Sequence, residues 1–542
     1  MKEIIFNLLK KHNFNILLII LLSILLPIIN NIIPFLSQQL FDNGIMIKDN
    51  SFIITLSFFI IILYGFKYLF NNIIQSKIIN INIETISNIK KDILNSTVNL
   101  PLVFHDKNSS QYIVSRINEV DNLSKLFSPD LITFIINVIT AFVAFLLILK
   151  KSIFIALLSI FIIPIFIFIS NRTFKKINNQ IANSLETSAL TNTKMHSILN
   201  GTSTLKQFND EDKLLKDINI SIDKLSYALS LQKLTINKNS NLISFFTIAI
   251  QTFLIGSIAL FISIGNLSIG DYFSLGQYIS LIYSPILLYQ NIKINMKPAL
   301  VSYKRLKDLS LQNTNIEKKN TIKSINNITV SNLNFQYNNS QHILKNVNFI
   351  LNKGDKLLIS GSNGSGKTTL TKLLLGFYDN YSGNISINGV SLKTINESSL
   401  REKISLVPQK SYLFDMSLLE NIKFANKKLK DNEFIEKIDY LKSIGLFKQL
   451  DLNINSIENG KNLSGGQIQR ISLARVLIRN FDVCIFDEIT NSLDLESKKI
   501  IKNIIKTEFN DKICIFISHD DFFDDLITQK FDLNENVKEP LI

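Results

Sequence analysis

Apolar and polar positions divide this chain near residue 300. Before that point lie six apolar runs, at 14–35, 52–74, 130–149, 152–170, 242–264 and 272–294. Each is long enough to cross a bilayer, which takes about 20 residues. Beyond it the longest apolar stretches, such as Val483–Phe486 and Ile513–Ile517, are the length of buried strands. The pattern predicts an all-α six-helix transmembrane domain over 1–310 and a water-soluble domain over 322–542. The joint is the polar stretch Leu309–Thr321, with 311–321 as linker, where apolar periodicity is lost. Lys10 and Lys11 ahead of Phe14–Pro27 resemble the start of a secretory signal. No small-residue cleavage site follows and a second span comes soon after, so the first run is expected to stay as an uncleaved span.

Lys and Arg in the connections set the orientation. With the N-terminus inside, loop 75–129 carries Lys77, Lys90, Lys91, Lys107, Arg116 and Lys125. Loop 171–241 carries ten more Lys/Arg, and the three outer loops hold only Lys48, Lys150 and Lys151. That imbalance predicts a cytoplasmic N-terminus, with Lys150 and Lys151 snorkelling to the headgroups. Both inner loops are too long for simple turns. Ile79, Ile83, Ile86 and Ile89 in one, and Ile177, Ile181 and Leu185 in the other, keep helical spacing. Spans two to five are therefore expected to continue as long helical hairpins into the cytoplasm.

Composition sharpens this only in part. Hydrophobic residues are 46% and charged residues 19%, which excludes a disordered chain. The net charge of +14 could suit nucleic acid or an anionic membrane surface. Much of it is the inner-loop excess just described, and no basic groove or base-stacking motif accompanies it, so no nucleic-acid partner is expected. Two cysteines, Cys484 and Cys514, cannot build a disulfide scaffold or a Cys-rich metal site.

The chemistry is concentrated in the second half. After the strand-like Lys356–Ser360 comes Gly361-Ser-Asn-Gly-Ser-Gly-Lys-Thr368, followed by an apolar helix-like segment. This is a phosphate-binding loop in its required strand–loop–helix setting. Gly361, Gly364 and Gly366 let backbone N–H groups turn toward phosphate oxygens. Ser362, Asn363, Ser365 and Thr369 complete the loop and the first turn, Lys367 reaches the β/γ-phosphates, and Thr368 is a Mg²⁺ ligand. Further on, Val483-Cys-Ile-Phe-Asp-Glu488 is an apolar strand ending in two carboxylates. Beside a phosphate loop, Asp487 is expected to hold Mg²⁺ and Glu488 to polarise the attacking water. The second domain is therefore expected to be an α/β P-loop fold that binds ATP and Mg²⁺.

Between these motifs lies Leu463-Ser-Gly-Gly-Gln467, flanked by Gln469-Arg-Ile-Ser-Leu-Ala-Arg475. The set resembles an ABC transporter, specifically a half-size exporter with its membrane domain fused ahead of the nucleotide-binding domain. The resemblance implies that Ser464, Gly465, Gly466 and Gln467 cover ATP held by an opposing subunit. It implies that Gln409 contacts metal and the coupling interface, that Ser492-Leu493-Asp494 forms the D-loop, and that His519 contacts the γ-phosphate. Tyr337 stands where the family stacks an aromatic on adenine, and Glu458-Asn459-Gly460 resembles the exporter X-loop. Leu100–Asn108 through Ser115-Arg116, and Gly201–Phe208, resemble its two intracellular loops, with coupling tips expected near Ser109–Ser115 and Gly201–Phe208.

Asn491 departs from the small residue usual ahead of the D-loop. The family's closing strand, glycine turn and helix are expected to be missing after His519. No cysteine-protease segment stands before the first span, so no leader cleavage in cis is expected. The resemblance implies ATP-driven export by a dimer, with two copies of this chain the simplest assembly and a heterodimer the alternative. Glu488, His519, Gln409 and Lys367 are the implied catalytic set. Without a charged intramembrane cluster the expected cargo is peptide-like or amphipathic, with lipid or hydrophobic drug as competitors. Tyr64, Asn137, Gln251, Gln277, Tyr283 and Gln290 either line a substrate path or bond helix to helix, and Lys67 and Lys293 are expected to snorkel. A membrane-anchored ATPase that senses or regulates without pumping is the rival from another class.

Overall fold

The computed structural model describes residues 12–161, 163–208, 211–311, 318, 320–337, 343–448, 450–457, 459–490, 493, 495–518 and 521–534. The chain forms two compact units, Met1–Leu100 with Asn108–Asn313, and Pro101–Lys107 with Thr314–Ile542.

The first unit is helical. Its elements are α1 (Asn13–Gln39), α2 (Asn50–Val98), the short α3 (Leu102–Lys107), which belongs to the second unit, and α4 (Ser110–Asn118). They continue with α5 (Pro129–Lys151), α6 (Ile153–Phe161), α7 (Ile163–Asn200), α8 (Thr202–Phe208), α9 (Glu211–Ser263) and α10 (Ile269–Leu311). Among the described residues, four helices are long and apolar enough to cross a membrane: Asn13–Ile45, Asn50–Val98, Ser110–Lys151 and Asp212–Ser263. The 49 residues of α2 rise about 74 Å, more than twice the hydrocarbon thickness of roughly 30 Å. Its extension beyond a bilayer's thickness is the long continuous helix that the spacing anticipates. The third extension departs from that expectation, because a 3-10 turn, Glu119–Phe127, interrupts it. Pro129 opens α5, and the residue before a proline is pushed out of the helical region, so Ser128 is extended at ψ 150°.

Polar side chains inside this unit bond helix to helix. The Tyr278 hydroxyl donates to the Asn31 carbonyl at 3.0 Å, and the Tyr283 hydroxyl to the Ser159 carbonyl at 3.0 Å. Gln277 donates to the Ser37 hydroxyl at 3.2 Å. Gln277 and Tyr283 thus bond helix to helix; Tyr64 is exposed, and the Gln290 side chain lies outside the description. Lys151 has partners within the protein. It donates to Asp271 and Gln38, drawing the ends of α1, α5 and α10 together. Lys293 lies 4.3 Å from the centre of the Phe174 ring and donates to Asn171.

The second unit is built on two sheets. Strands β1 (Asn327–Phe335), β2 (Leu344–Asn352), β4 (Ser382–Ile387) and β5 (Val390–Ser391) pair antiparallel in the order β2-β1-β4-β5. A parallel sheet runs β6-β7-β8-β3-β9, from β6 (Ile404–Val407), β7 (Val483–Asp487), β8 (Ile513–Ile517), β3 (Lys356–Ser360) and β9 (Gln529–Asp532). The strand β9 corrects the expectation that the closing strand is absent. Its backbone pairs with β3 from Leu357↔Gln529 to Ser360↔Asp532.

Side chains alternate across the parallel sheet, as a strand's period of two requires. Leu357, Ile359, Val483, Ile485, Ile513, Ile515 and Ile517 face one core, shared with the antiparallel sheet and with Leu370, Leu373 and Leu374 of α11 (Lys367–Leu374). Leu358, Cys484, Phe486, Cys514 and Phe516 face the other. That second core packs against α13 (Leu418–Lys423), α14 (Asp431–Ser443), α15 (Gly465–Leu477) and α16 (Leu495–Glu508); α12 (Glu397–Lys403) precedes β6. Burial on both faces explains why these strands read as unbroken apolar runs. It also pushes the Cys514 thiol up to about 12 and the Cys484 thiol well above its ordinary value, so both sulfurs stay as inert packing groups. Because the sheet is parallel, the C-terminal ends of β3, β6, β7 and β8 share one edge, where ligands of open α/β sheets bind.

Candidate nucleotide site

At that edge β3 leads into Gly361–Gly366 and then α11. Gly361, Gly364 and Gly366 have φ of 150°, 87° and 97°, a region costly for residues with a side chain. A Cβ on Gly366 would stand 2.7 Å from Leu344 Cδ2 and 2.9 Å from Ile343 Cγ2, and one on Gly361 would stand 2.6 Å from Ser365 Oγ. The loop is therefore wound around glycine. Lys367 turns back across it, donating to the Gly361 carbonyl at 2.6 Å and to the Ser362 carbonyl at 3.2 Å. Ser362 also donates through its backbone N–H and its hydroxyl to Asn534 Oδ1. A cavity of about 230 Å³ is lined by Asn363, Gly364, Ser365, Gly366, Lys367, Thr368, Thr369, Ile343 and Glu488.

Asp487 ends β7 and Glu488 follows at φ 50°, a strained backbone for a non-glycine residue. The Glu488 backbone N–H donates to the Ile517 carbonyl at 2.9 Å, and its carboxylate accepts from Gln409 Nε2. Gln409 follows the end of β6, so β6 and β7, adjacent in the sheet, bring these two side chains together. Burial raises the Asp487 carboxyl above its ordinary range, Glu488 adds to the rise, and Lys367 opposes it.

The donors present suit a magnesium-bound polyphosphate. Ser365 Oγ is buried without a hydrogen-bond partner, within the positive-φ turns. Thr368 is exposed at the start of α11, with Asp487 supplying a carboxylate oxygen. Hydroxyl, carboxylate and amide oxygens with two or more phosphate oxygens make a typical Mg²⁺ set. Among the described residues no group of three or more His, Cys, Asp or Glu gathers, so such an ion would lean on the phosphates.

Tyr337 packs edge-on against Phe335 at 4.9 Å and Tyr378 at 5.4 Å. Its hydroxyl lies 3.3 Å from Thr369 Oγ1, beside the phosphate loop's helix. Ser464 caps α15: its hydroxyl accepts from the Gln467 N–H at 3.2 Å while Gln467 Oε1 accepts from the Ser464 N–H at 2.9 Å. Gly465 is exposed at this helix N-terminus and Gly466 is buried. Gln469 donates to the Gln409 carbonyl at 2.9 Å, tying α15 to the segment that carries Gln409.

Motif reading missed a brace behind that segment. Asn421, fully buried, donates to the Phe414 carbonyl at 2.9 Å and accepts from the Phe414 N–H at 2.9 Å. Arg475 donates to Asn421 and to the Tyr412 carbonyl, and Asn459 Oδ1 accepts from the Leu413 N–H. Asn421 sits in a short helix and carries no local signature; Arg475 and Asn459 lie in the flanks already noted. Glu458, Asn491, Ser492, Asp494 and His519 lie outside the described residues.

A phosphate loop on a parallel sheet, in one chain with membrane-length helices, defines a P-loop ATPase fused to a membrane domain. The family model of the ABC transporter transmembrane region matches residues 16–286, and the ABC transporter family model matches 344–491. The chain belongs to the ABC transporter family and has the half-size exporter arrangement, which makes it a multi-pass membrane protein whose ATP-binding domain implies ATP hydrolysis coupled to transport.

It is 25% identical over 518 residues to the transport/processing ATP-binding protein ComA of Streptococcus pneumoniae, covering 92% of this chain and 71% of that protein. It is 27% identical over 517 residues to the ATP-dependent lipid A-core flippase of Wigglesworthia glossinidia brevipalpis, covering 92% and 88%. The solved structure of a bacterial Atm1-family ABC exporter with ATP bound shares the fold, at a TM-score of 0.79 and 18% identity, over 94% of this chain and 91% of that one.

Proposed function

We propose that two copies of this chain form an exporter in the cytoplasmic membrane, with the N-terminus and ATPase unit on the cytoplasmic side, driven by ATP at two head-to-tail sites. The observation that carries the ATPase reading is Glu488, held at a strained φ on the rim of the phosphate-loop cavity with Gln409 on its carboxylate. Backbone N–H groups of Gly361–Thr368 would cradle the phosphates and Tyr337 would stack on adenine. Lys367 would exchange its carbonyl partners for β/γ-phosphate oxygens, a stronger charge-assisted contact. Thr368, Asp487 and Gln409 would hold Mg²⁺, which would supply positive charge against the transferring phosphate.

Ser464, Gly465, Gly466 and Gln467 would close over ATP on the opposing copy, where the exposed α15 N-terminus favours an anion. Trapped ATP gains those contacts only in the closed pair and so shifts the equilibrium toward closure. Glu488 would orient water, with Lys367 and His519 stabilising the developing charge. Loss of the γ-phosphate then releases the pair.

The cargo we favour is a peptide or other amphipathic compound, supported by the likeness to ComA over 92% of this chain. The likeness to a lipid A-core flippase over 88% of that protein makes lipid the alternative, with hydrophobic drugs next. Glu488→Gln is expected to retain ATP binding and lose at least roughly 99% of hydrolysis, as when a catalytic group is removed. Hydrolysis at the unmodified rate would remove Glu488 from catalysis. Cargo-stimulated ATPase with uptake into inverted vesicles is expected of a pump; stimulation without uptake would indicate a regulator instead.

A further inference from the structure

The second unit contains one piece of chain that its sequence position does not announce. Pro101–Lys107 belongs to it, although the residues on both sides belong to the first. Val103 packs against the core beneath the antiparallel sheet. Asp106 accepts from Tyr378 Oη at 2.6 Å and from Lys372 Nζ at 2.7 Å. Lys372 lies on α11, the helix that starts at the phosphate loop. The Tyr378 ring meets Tyr337 and Phe335 edge-on, at 5.4 and 5.5 Å. Burial raises the Asp106 carboxyl, but the bonds from Lys372 and Tyr378 and the Lys372 charge outweigh it and hold it ionised, below its ordinary range.

These contacts form an unbroken series. The carboxylate fixes the Tyr378 hydroxyl, the Tyr378 ring fixes the Tyr337 ring, and Tyr337 meets Thr369. Edge-to-face ring pairs are directional, so releasing one ring loosens the other.

We propose that Asp106 is a positioning residue for adenine recognition, setting the angle of Tyr337 through Tyr378, so that the segment 101–107 and the adenine base are thermodynamically linked. The proposal rests on the reading of Tyr337 as the adenine platform. Linkage is reciprocal: whatever displaces Asp106 weakens the hold on the base, and bound base stabilises the seat of 101–107. The phosphate contacts of Gly361–Thr368 are not part of this series.

The test uses the full chain in lipid nanodiscs, with ATP and inorganic tripolyphosphate as probes. Asp106→Ala and Tyr378→Phe are each expected to weaken ATP binding about five- to tenfold, with the double variant no weaker than either single one. Tripolyphosphate, which has no base, is expected to bind all three as it binds the parent, which also shows that they are folded. Discrimination between ATP and GTP is expected to narrow in the same variants.

Equal loss of ATP and tripolyphosphate binding would overturn the proposal, because Asp106 would then be supporting the whole domain. So would unchanged ATP binding in Asp106→Ala, provided Tyr337→Ala weakens it. If Tyr337→Ala also binds ATP like the parent, the adenine-platform reading itself fails.

Discussion

Asp487 shows how one residue carries opposed demands. Its carboxyl is raised by burial and by Glu488 and lowered by Lys367, and the sum lies above the ordinary value. The native chain then holds a proton that the unfolded chain has already released. Stability is accordingly lost as pH rises from the unfolded value through the raised native one. Asp487→Asn removes that cost. It is expected to raise the melting temperature of the nucleotide-free ATPase unit at pH 7.5 by roughly 2–4 °C for each 1 kcal/mol relieved, with the gain shrinking toward pH 4. The same change is expected to abolish Mg²⁺-dependent hydrolysis, and melting curves across pH beside an ATPase assay would check both. A variant less stable than the parent at pH 7.5 would contradict this.

The phosphate-loop residues were legible in the sequence because holding phosphate on backbone N–H groups demands glycine at fixed spacing. The Gln409–Glu488 bond and the Asn421–Arg475 brace were not, since each joins residues far apart in sequence through strand order or helix packing. Lys151 makes the same point. Its sequence neighbours give no sign of Asp271, 120 residues on, which the fold brings beside it.

Among the elements, α15 combines two roles at its first turn. The capping bonds of Ser464 and Gln467 satisfy its N-terminal donors locally. Losing the cap in Ser464→Ala is expected to cost about 1 kcal/mol of stability. Asn caps about as well as Ser, so Ser464→Asn is expected to keep the melting temperature. If this turn also closes over ATP on an opposing copy, the bulkier side chain is expected to reduce hydrolysis at least about tenfold. Full hydrolysis by Ser464→Asn would leave Ser464 with capping alone.

Elements were legible in proportion to their length and burial. The strands buried on both faces, β7 and β8, announce themselves as apolar runs, and α2 and α9 by spacing sustained over many turns. The strand β9, Gln-Lys-Phe-Asp, has no such run, because its place at the sheet edge is set by pairing with β3 rather than by its own side chains. The six-residue α3 is too short for any period to register. Pro101–Lys107 groups with the second unit, whereas Ser109–Ser115 falls in the first.

For the whole molecule, that short segment changes what counts as a part. An ATPase unit excised at Thr314 would leave behind Val103, which covers its core, and Asp106, which holds Lys372 and Tyr378. Its natural boundary is therefore two pieces of chain rather than one cut. In chimaeras that exchange ATPase units with a relative, swapping 314–542 alone is expected to weaken ATP binding about five- to tenfold when residue 106 no longer matches its partner tyrosine. Carrying 101–107 along is expected to restore it, as ATP titration of the two chimaeras would show. Equal affinity in both would mean that the segment is passive. If the bond between Asp106 and Tyr378 sets the adenine platform, positions 106 and 378, far apart in the gene, are expected to be inherited as a matched pair, and recombination between them would separate a lock from its key.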